Sequence, residues 1–199
     1  MKKEIEKRAL KIEFRATKDD TGKVTLAGSP IVYGKRSDDM GFIEIIKPGA
    51  ATEALKISDA RVLWNHDSNT LPIGRMSAGG MSVNEDKNGV HIELNDLPSY
   101  ADDLVEAIDR NIVQDMSFGF TVQDDIWETI DGKDVRTITK IGELFDFSFV
   151  AFPAYPDTTV ALRNLETFRN NGVNADEISV TAENEDIELE LLIANIGGQ

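Results

Sequence analysis

One serine, one histidine and one aspartate, each in or beside a strand-like apolar run, are the residues of this sequence that could act together chemically. Ser117 lies in QDMSFGF (114–120), His66 closes ARVLWNH (60–66) just before the loop DSNTLP, and Asp146 lies in ELFDFSFVAFPAYP (143–156). These are the types a hydroxyl nucleophile requires. A base takes the hydroxyl proton and returns it to the leaving group, while an acid fixes the base's tautomer and stabilises its charged form. Each residue also has a plainer reading. A serine on the second face of a strand more often fills space or meets water, a histidine at a strand end can bond Asn65 or Asp67, and an acid on an edge strand can face solvent. Glu143, at the entrance of the same run, competes with Asp146. The chain order histidine, serine, acid is that of none of the common serine hydrolases, and the G-x-S-x-G elbow is absent.

The elements that must position these residues are mostly strands. Leu10, Ile12 and Phe14 alternate with Lys11, Glu13 and Arg15, the period-2 pattern of a sheet with one wet face. Val24, Leu26, Ile31 and Tyr33 predict a second strand with a bulge near Gly28. FIEII, ARVLWNH, IGRMSAGGMSV and GVHIELND predict further strands, and DKNG (86–89) and DGK (131–133) read as hairpin turns. Ser99 and Asp102 resemble a capping box for a helix running to about Arg110, with Leu104, Val105, Ile108 and Ile112 as its apolar stripe. That helix delivers the chain into the strand holding Ser117. There Met116, Phe118 and Phe120 share one face, and Ser117, Gly119 and Thr121 form a small, open one. In the later run Phe145, Phe147 and Phe149 share a face opposite Leu144, Asp146, Ser148 and Val150. An aspartate in so apolar a segment must reach solvent or hold a specific donor, and a histidine ring N–H is a suitable one.

Composition narrows the function classes. The 199 residues carry 36 acids against 21 bases, a net charge of −15, which opposes broad phosphate-backbone binding, so nucleic acid is not an expected partner. There is no cysteine, which excludes disulfides, thiol nucleophiles and thiolate metal sites. The histidines are His66 and His91 alone, neither in an H-E-x-x-H arrangement, so neither a metal nor another cofactor is expected. His91 shares a wet strand face with Glu93, and a solvated position explains it. The basic start MKKEIEKRALK is not followed by a long apolar stretch, and no run approaches the roughly 20 apolar residues of a spanning helix, so a cytosolic protein with no membrane partner is expected. Residues 164–199 hold eight acids and one base, Arg169. They read as an acidic appendage ending in the amphipathic IELELLIANI, or equally as a last element packed on the body.

In order and spacing, GSPIVYG (28–34), the PGA loop (48–50), LWNHD (63–67) followed by PIGR (72–75), the helix leading into MSFGF, and LFDFSFVAFPAYP resemble the prohead proteases of tailed bacteriophages. Those enzymes are similar to the herpesvirus capsid-maturation proteases, the assemblins. The likeness covers about residues 9–163, a protease domain of 1–163, and leaves 164–199 as the appendage. It implies an α+β, β-rich fold: a compact, mostly antiparallel β-barrel with flanking helices. It also implies a serine endopeptidase acting inside the assembling procapsid in the host bacterial cytoplasm, cutting scaffold or the scaffold-like part of the major capsid protein, and often itself. His66 matches the family's base and Ser117 its nucleophile. Asp146 stands where the phage family carries an acid, usually Glu, with Glu143 as the fallback. The herpesvirus relatives instead use a second histidine downstream of the serine, which this chain lacks. Those relatives work as dimers, so a homodimer is among the partners the resemblance admits. The oxyanion donors it implies are backbone N–H groups, which leave no side-chain signature. The appendage would dock the enzyme to scaffold or be removed by self-cleavage. A rival reading is a noncatalytic capsid-assembly barrel that binds scaffold, in which Ser117 and His66 would lie apart. A metal-dependent phosphohydrolase built on His66 and Asp67 ranks third, for want of ligands.

Overall fold

The runs on either side of DGK become the two longest strands because their residues are β-branched or aromatic and the turn between them suits a tight hairpin. Asp131 and Gly132 both take positive φ, 53° and 74°, the backbone a two-residue hairpin turn requires. The computed structural model describes residues 4–11, 15–20, 22–152 and 161–171. In chain order its strands are β1 (Glu6–Lys11), β2 (Arg15–Lys18), β3 (Val24–Val32), β4 (Ile43–Ile46), β5 (Arg61–Trp64), β6 (Gly74–Arg75), β7 (Met81–Asp86), β8 (Gly89–Leu94), β9 (Asp115–Ile130) and β10 (Lys133–Val150). Helix α1 (Thr52–Ile57) separates β4 from β5, and a 3-10 turn (Ser99–Ala101) leads into α2 (Asp102–Asp109).

The strands form two sheets. One has the order β1-β9-β10-β5-β6, with β4 also on β10, and the other is β2-β3-β8-β7. β10 is the spine of the first: β9 runs antiparallel along it, while its early half pairs β4 and its late half β5, both parallel. Met116, Phe118 and Phe120 of β9 and Leu144, Phe147 and Phe149 of β10 join Leu26, Ile31, Val90, Ile92 and Leu94 of the second sheet in one buried apolar cluster. The expected bulge near Gly28 is present as a register shift of β3 on β8 between Gly28 and Ile31.

The β-rich expectation holds, but the barrel does not close. Among the described residues both sheets are open, and the first is mixed, with β4 and β5 parallel to β10 and its other ladders antiparallel. IGRMSAGGMSV, expected as one strand, breaks into β6 and β7 at a turn ending in Gly80, whose φ is 83°. That break leaves β6 at the edge of one sheet and β7 at the edge of the other, with no ladder between them. The helix before β9 also differs in detail. No side chain caps its start, and the chain enters α2 from the 3-10 turn instead. Asn111, at φ 57°, ends it in the left-handed conformation, so Ile112 leaves the apolar stripe and is exposed. Of the first expected strand, residues 12–14 lie outside the described residues, as do 153–156 of the Pro-rich end of FVAFPAYP and the amphipathic IELELLIANI. The chain divides into two units at Val160/Ala161, and the described part of the second is a helix over 161–171.

A buried charge cluster ties β1 to the spine. Arg8 of β1 bonds Glu44 of β4 at 2.5 and 2.8 Å and Glu6 at 2.6 Å. Arg136 of β10, fully buried, bonds Glu6 at 2.8 and 3.1 Å, Glu44 at 3.1 Å and Asp125 at 2.6 Å. Burial alone would push the Glu6 carboxyl up. The hydrogen bond and charge of Arg136, with the charge of Arg8, overcome this and hold it below the ordinary glutamate range. Removing one partner strands the others in the interior. Arg136→Leu should therefore cost about 3–5 kcal/mol of stability in urea unfolding followed by tryptophan fluorescence. A group whose pKa is depressed by folding stabilises above its unfolded value and loses that contribution as pH falls through the folded value. Stability should thus decline below about pH 4.3, and the decline should be shallower in Glu6→Gln.

Candidate active site

The site is a two-by-two tile on the face of the β9–β10 ribbon away from the apolar cluster. Ser117 is directly opposite Ser148, and Gly119 directly opposite Asp146. Opposed residues of an antiparallel pair project from the same face, so all four positions share one side of the sheet. The last of four register irregularities along this pair lies just before the tile. Between Leu144 and Asp146 the register shifts by one, which makes Phe145 the extra residue of a β-bulge. Without it Leu144 and Asp146 would point the same way. With it Leu144 turns to the core and Asp146 to the tile, and Phe145 drops out of the apolar cluster to which it was assigned by simple alternation.

His66 reaches the tile from the end of β5, which pairs in parallel with β10 so that Leu63 lies beside Ser148 and Trp64 beside Phe149. The ladder continues one step, with the Asn65 N–H donating to Phe149 O at 2.9 Å, and the chain then turns sharply. Asn65 and His66 both take positive φ, 50° and 57°, and the Asp67 N–H closes the turn on Trp64 O at 2.9 Å. Asn and His are among the residues that tolerate this backbone best. The side chain of Asn65 accepts a hydrogen bond from the Ala151 N–H at 3.0 Å, tying the turn to the end of β10.

The three candidate residues meet. His66 Nε2 lies 2.6 Å from Ser117 Oγ, and His66 Nδ1 lies 2.5 Å from Asp146 Oδ1. A carboxylate only accepts, so Nδ1 carries the ring proton and the Nε2 lone pair accepts from the serine hydroxyl. Ser148 Oγ donates to the same Asp146 Oδ1 at 2.5 Å. The fallback Glu143 is exposed, pairs across the ladder with Thr121, and is not the partner of His66. The serine face is not open, as its small residues suggested: Ser117 is 0% exposed, and the imidazole side chain 6%. Nor does Gly119 leave space for another chain. A Cβ there would run into Asp146 Oδ2, so the glycine is what lets the carboxylate lie flat across β9.

Ser148 and Asn65 carried no role in the sequence reading. The D-x-S spacing within one strand, which puts both side chains on one face, is the signal that points to the first. Asparagine before histidine at a strand end points to the second. His91 lies in the other sheet and is not simply solvated. Its Nδ1 is 2.7 Å from Ser29 Oγ and its Nε2 3.0 Å from Asp86 Oδ1. This second serine, histidine and aspartate set is organised around a turn rather than around a reaction. The same Asp86 oxygen accepts the N–H groups of Asn88 and Gly89, and the Asp86 side chain is half exposed. The hydrogen bond from His91, then that from the Asn88 N–H, hold its carboxyl below the usual range.

A family model described as caudovirus prohead serine protease matches residues 10–171. The chain belongs to that family. The matched span takes in β2 through β10, both helices between them and all four positions of the tile. No curated protein and no solved structure matches significantly. Membership in a prohead serine protease family makes peptide-bond hydrolysis during capsid maturation the chemistry against which the tile is to be read.

Adding a methyl group at position 119 tests the packing of the tile. Gly119→Ala should leave the fold intact by circular dichroism yet displace the Asp146 carboxylate. A crystal structure of the variant should then show the His66 Nδ1 to Asp146 Oδ1 distance lengthened beyond hydrogen-bonding range.

Proposed function

We propose that this prohead protease is a serine endopeptidase in which Ser117 is the nucleophile, His66 the general base and then acid, and Asp146 the group that orients the imidazole. The observation that carries the reading is the unbroken chain from Ser117 Oγ through His66 to Asp146 Oδ1, at 2.6 and 2.5 Å. In the first half of the reaction Oγ attacks the scissile carbonyl carbon as its proton passes to Nε2. The carbon–nitrogen bond then breaks, and Nε2 returns the proton to the departing amine. In the second half a water gives its proton to Nε2 and its oxygen to the acyl ester, releasing the acid product and restoring the Ser117 hydroxyl. Asp146 stays ionised throughout and stabilises the imidazolium formed in each half. Backbone N–H groups supply the oxyanion site in this scheme.

On this reading the substrates are scaffold, or the scaffold-like region of the major capsid protein, inside the procapsid in the host cytoplasm, and in part the enzyme itself. The acidic segment 164–199 would dock to scaffold and be removed by self-cleavage. A noncatalytic scaffold-binding protein would have His66 and Ser117 apart, and their 2.6 Å contact speaks for the catalytic reading.

Coexpression with the capsid and scaffold proteins of the same phage tests the assignment. Ser117→Ala and His66→Ala should each reduce cleavage by about 10⁶-fold, with the double variant no worse, because the two act as a unit. Asp146→Asn should cost about 10⁴-fold by presenting the wrong tautomer. Undiminished cleavage by Ser117→Ala refutes the assignment. Mass spectrometry of the same reactions should show loss of residues near the C-terminus in the wild type and an intact chain in Ser117→Ala.

A further inference from the structure

We infer that Ser148 is a positioning residue of the reaction: its hydroxyl locks the Asp146 carboxylate in the rotation that holds His66, an inference that rests on the catalytic reading above. Ser148 is 0% exposed, so bulk solvent is not its partner, and a buried hydroxyl must donate somewhere. It donates to Asp146 Oδ1, the oxygen that also accepts from His66 Nδ1, at 2.5 Å in each case. The other oxygen, Oδ2, lies over Gly119, where a side chain would collide with it. The two carboxylate oxygens are thus in unlike surroundings. Rotation about the Cβ–Cγ bond would carry Oδ1 away from two donors at once, and two short bonds to an ionised oxygen are among the stronger polar contacts a protein makes.

The backbone explains why the hydroxyl is there. Asp146 and Ser148 are two residues apart on one strand, hence on the same face, and the register places Ser148 directly across from Ser117. A serine that merely filled this corner could bond a main-chain carbonyl. This one faces the acid, and only through the acid does it reach the base. The imidazole is otherwise held by a single turn with both central residues at positive φ, so the direction of its ring depends on what Nδ1 finds.

Reaction of the purified full-length protein with a fluorophosphonate ester reads the effect separately from binding of natural substrate. Saturation kinetics split it into an apparent affinity and a maximal rate of Ser117 modification. Ser148→Ala is expected to lower the maximal rate about tenfold to a hundredfold with the affinity unchanged, the loss of one hydrogen bond to a charged group. In an Asp146→Asn background the same change should have no further effect, because the hydroxyl acts through the carboxylate. If the alanine variant does not fold, Ser148→Cys, which keeps a small side chain at the position and weakens the donor, carries the same expectation. A wild-type rate in the single variant, a loss confined to affinity, or an equal loss in the Asp146→Asn background each overturns the inference. Labelling that persists in Ser117→Ala would instead overturn the catalytic reading itself, so the two failures are distinct.

Discussion

The register of β9 against β10 is the constraint on which the rest of the site depends. It sets Ser117 opposite Ser148 and Gly119 opposite Asp146, and because side chains alternate along each strand, a slip of one residue would turn the tile to the core and the phenylalanines to the outside. The energy that fixes it comes largely from the other face. Met116, Phe118, Phe120, Phe147 and Phe149 lie in one apolar cluster, and each such side chain contributes on the order of 1.5–3 kcal/mol on burial. The polar tile adds little to this by itself. It is carried by a ribbon that hydrophobic packing has already locked.

The parallel strands on the far side of β10 complete the arrangement. β5 pairs with the late half of the spine, and the extra ladder bond from Asn65 carries its end to the point where His66 can turn over the tile. Two of the three candidate residues therefore lie on neighbouring strands, and the third is one tight turn away from a strand hydrogen-bonded to one of them. β4, on the early half of the spine, is fastened to β1 through Glu44, Arg8, Glu6 and Arg136. One sheet thus carries a buried charge network as well as the hydrogen-bonded relay.

Much of this is legible in the sequence, and the exceptions have physical causes. Strand periods, the DGK turn and the bulge at Gly28 are local properties of residues 24–32 and 115–150, and they are readable for that reason. Ser117, His66 and Asp146 stand out because their types are scarce in apolar runs, while their meeting in space is a matter of non-local pairing. The bulge at Phe145 leaves no signal, since no Gly or Pro marks it. It exists because Leu144 and Phe147 both gain by facing the core while the acid between them does not. Glu6 and Arg136 are 130 residues apart, and nothing in a one-dimensional pattern pairs them. The closed barrel fails for a more local reason: the two glycines at 79 and 80 permit the turn that splits the strand between the sheets.

That split also decides what fills the gap between the two sheets. Where β6 and β7 part company, Gly74 is approached by Leu94 and Met81, so the rift is stuffed with hydrocarbon instead of being laced by peptide groups. Among the described residues no ladder joins the two strands there. A sealed cylinder has no such crevice. Here an apolar seam lies beside the loop that follows the imidazole.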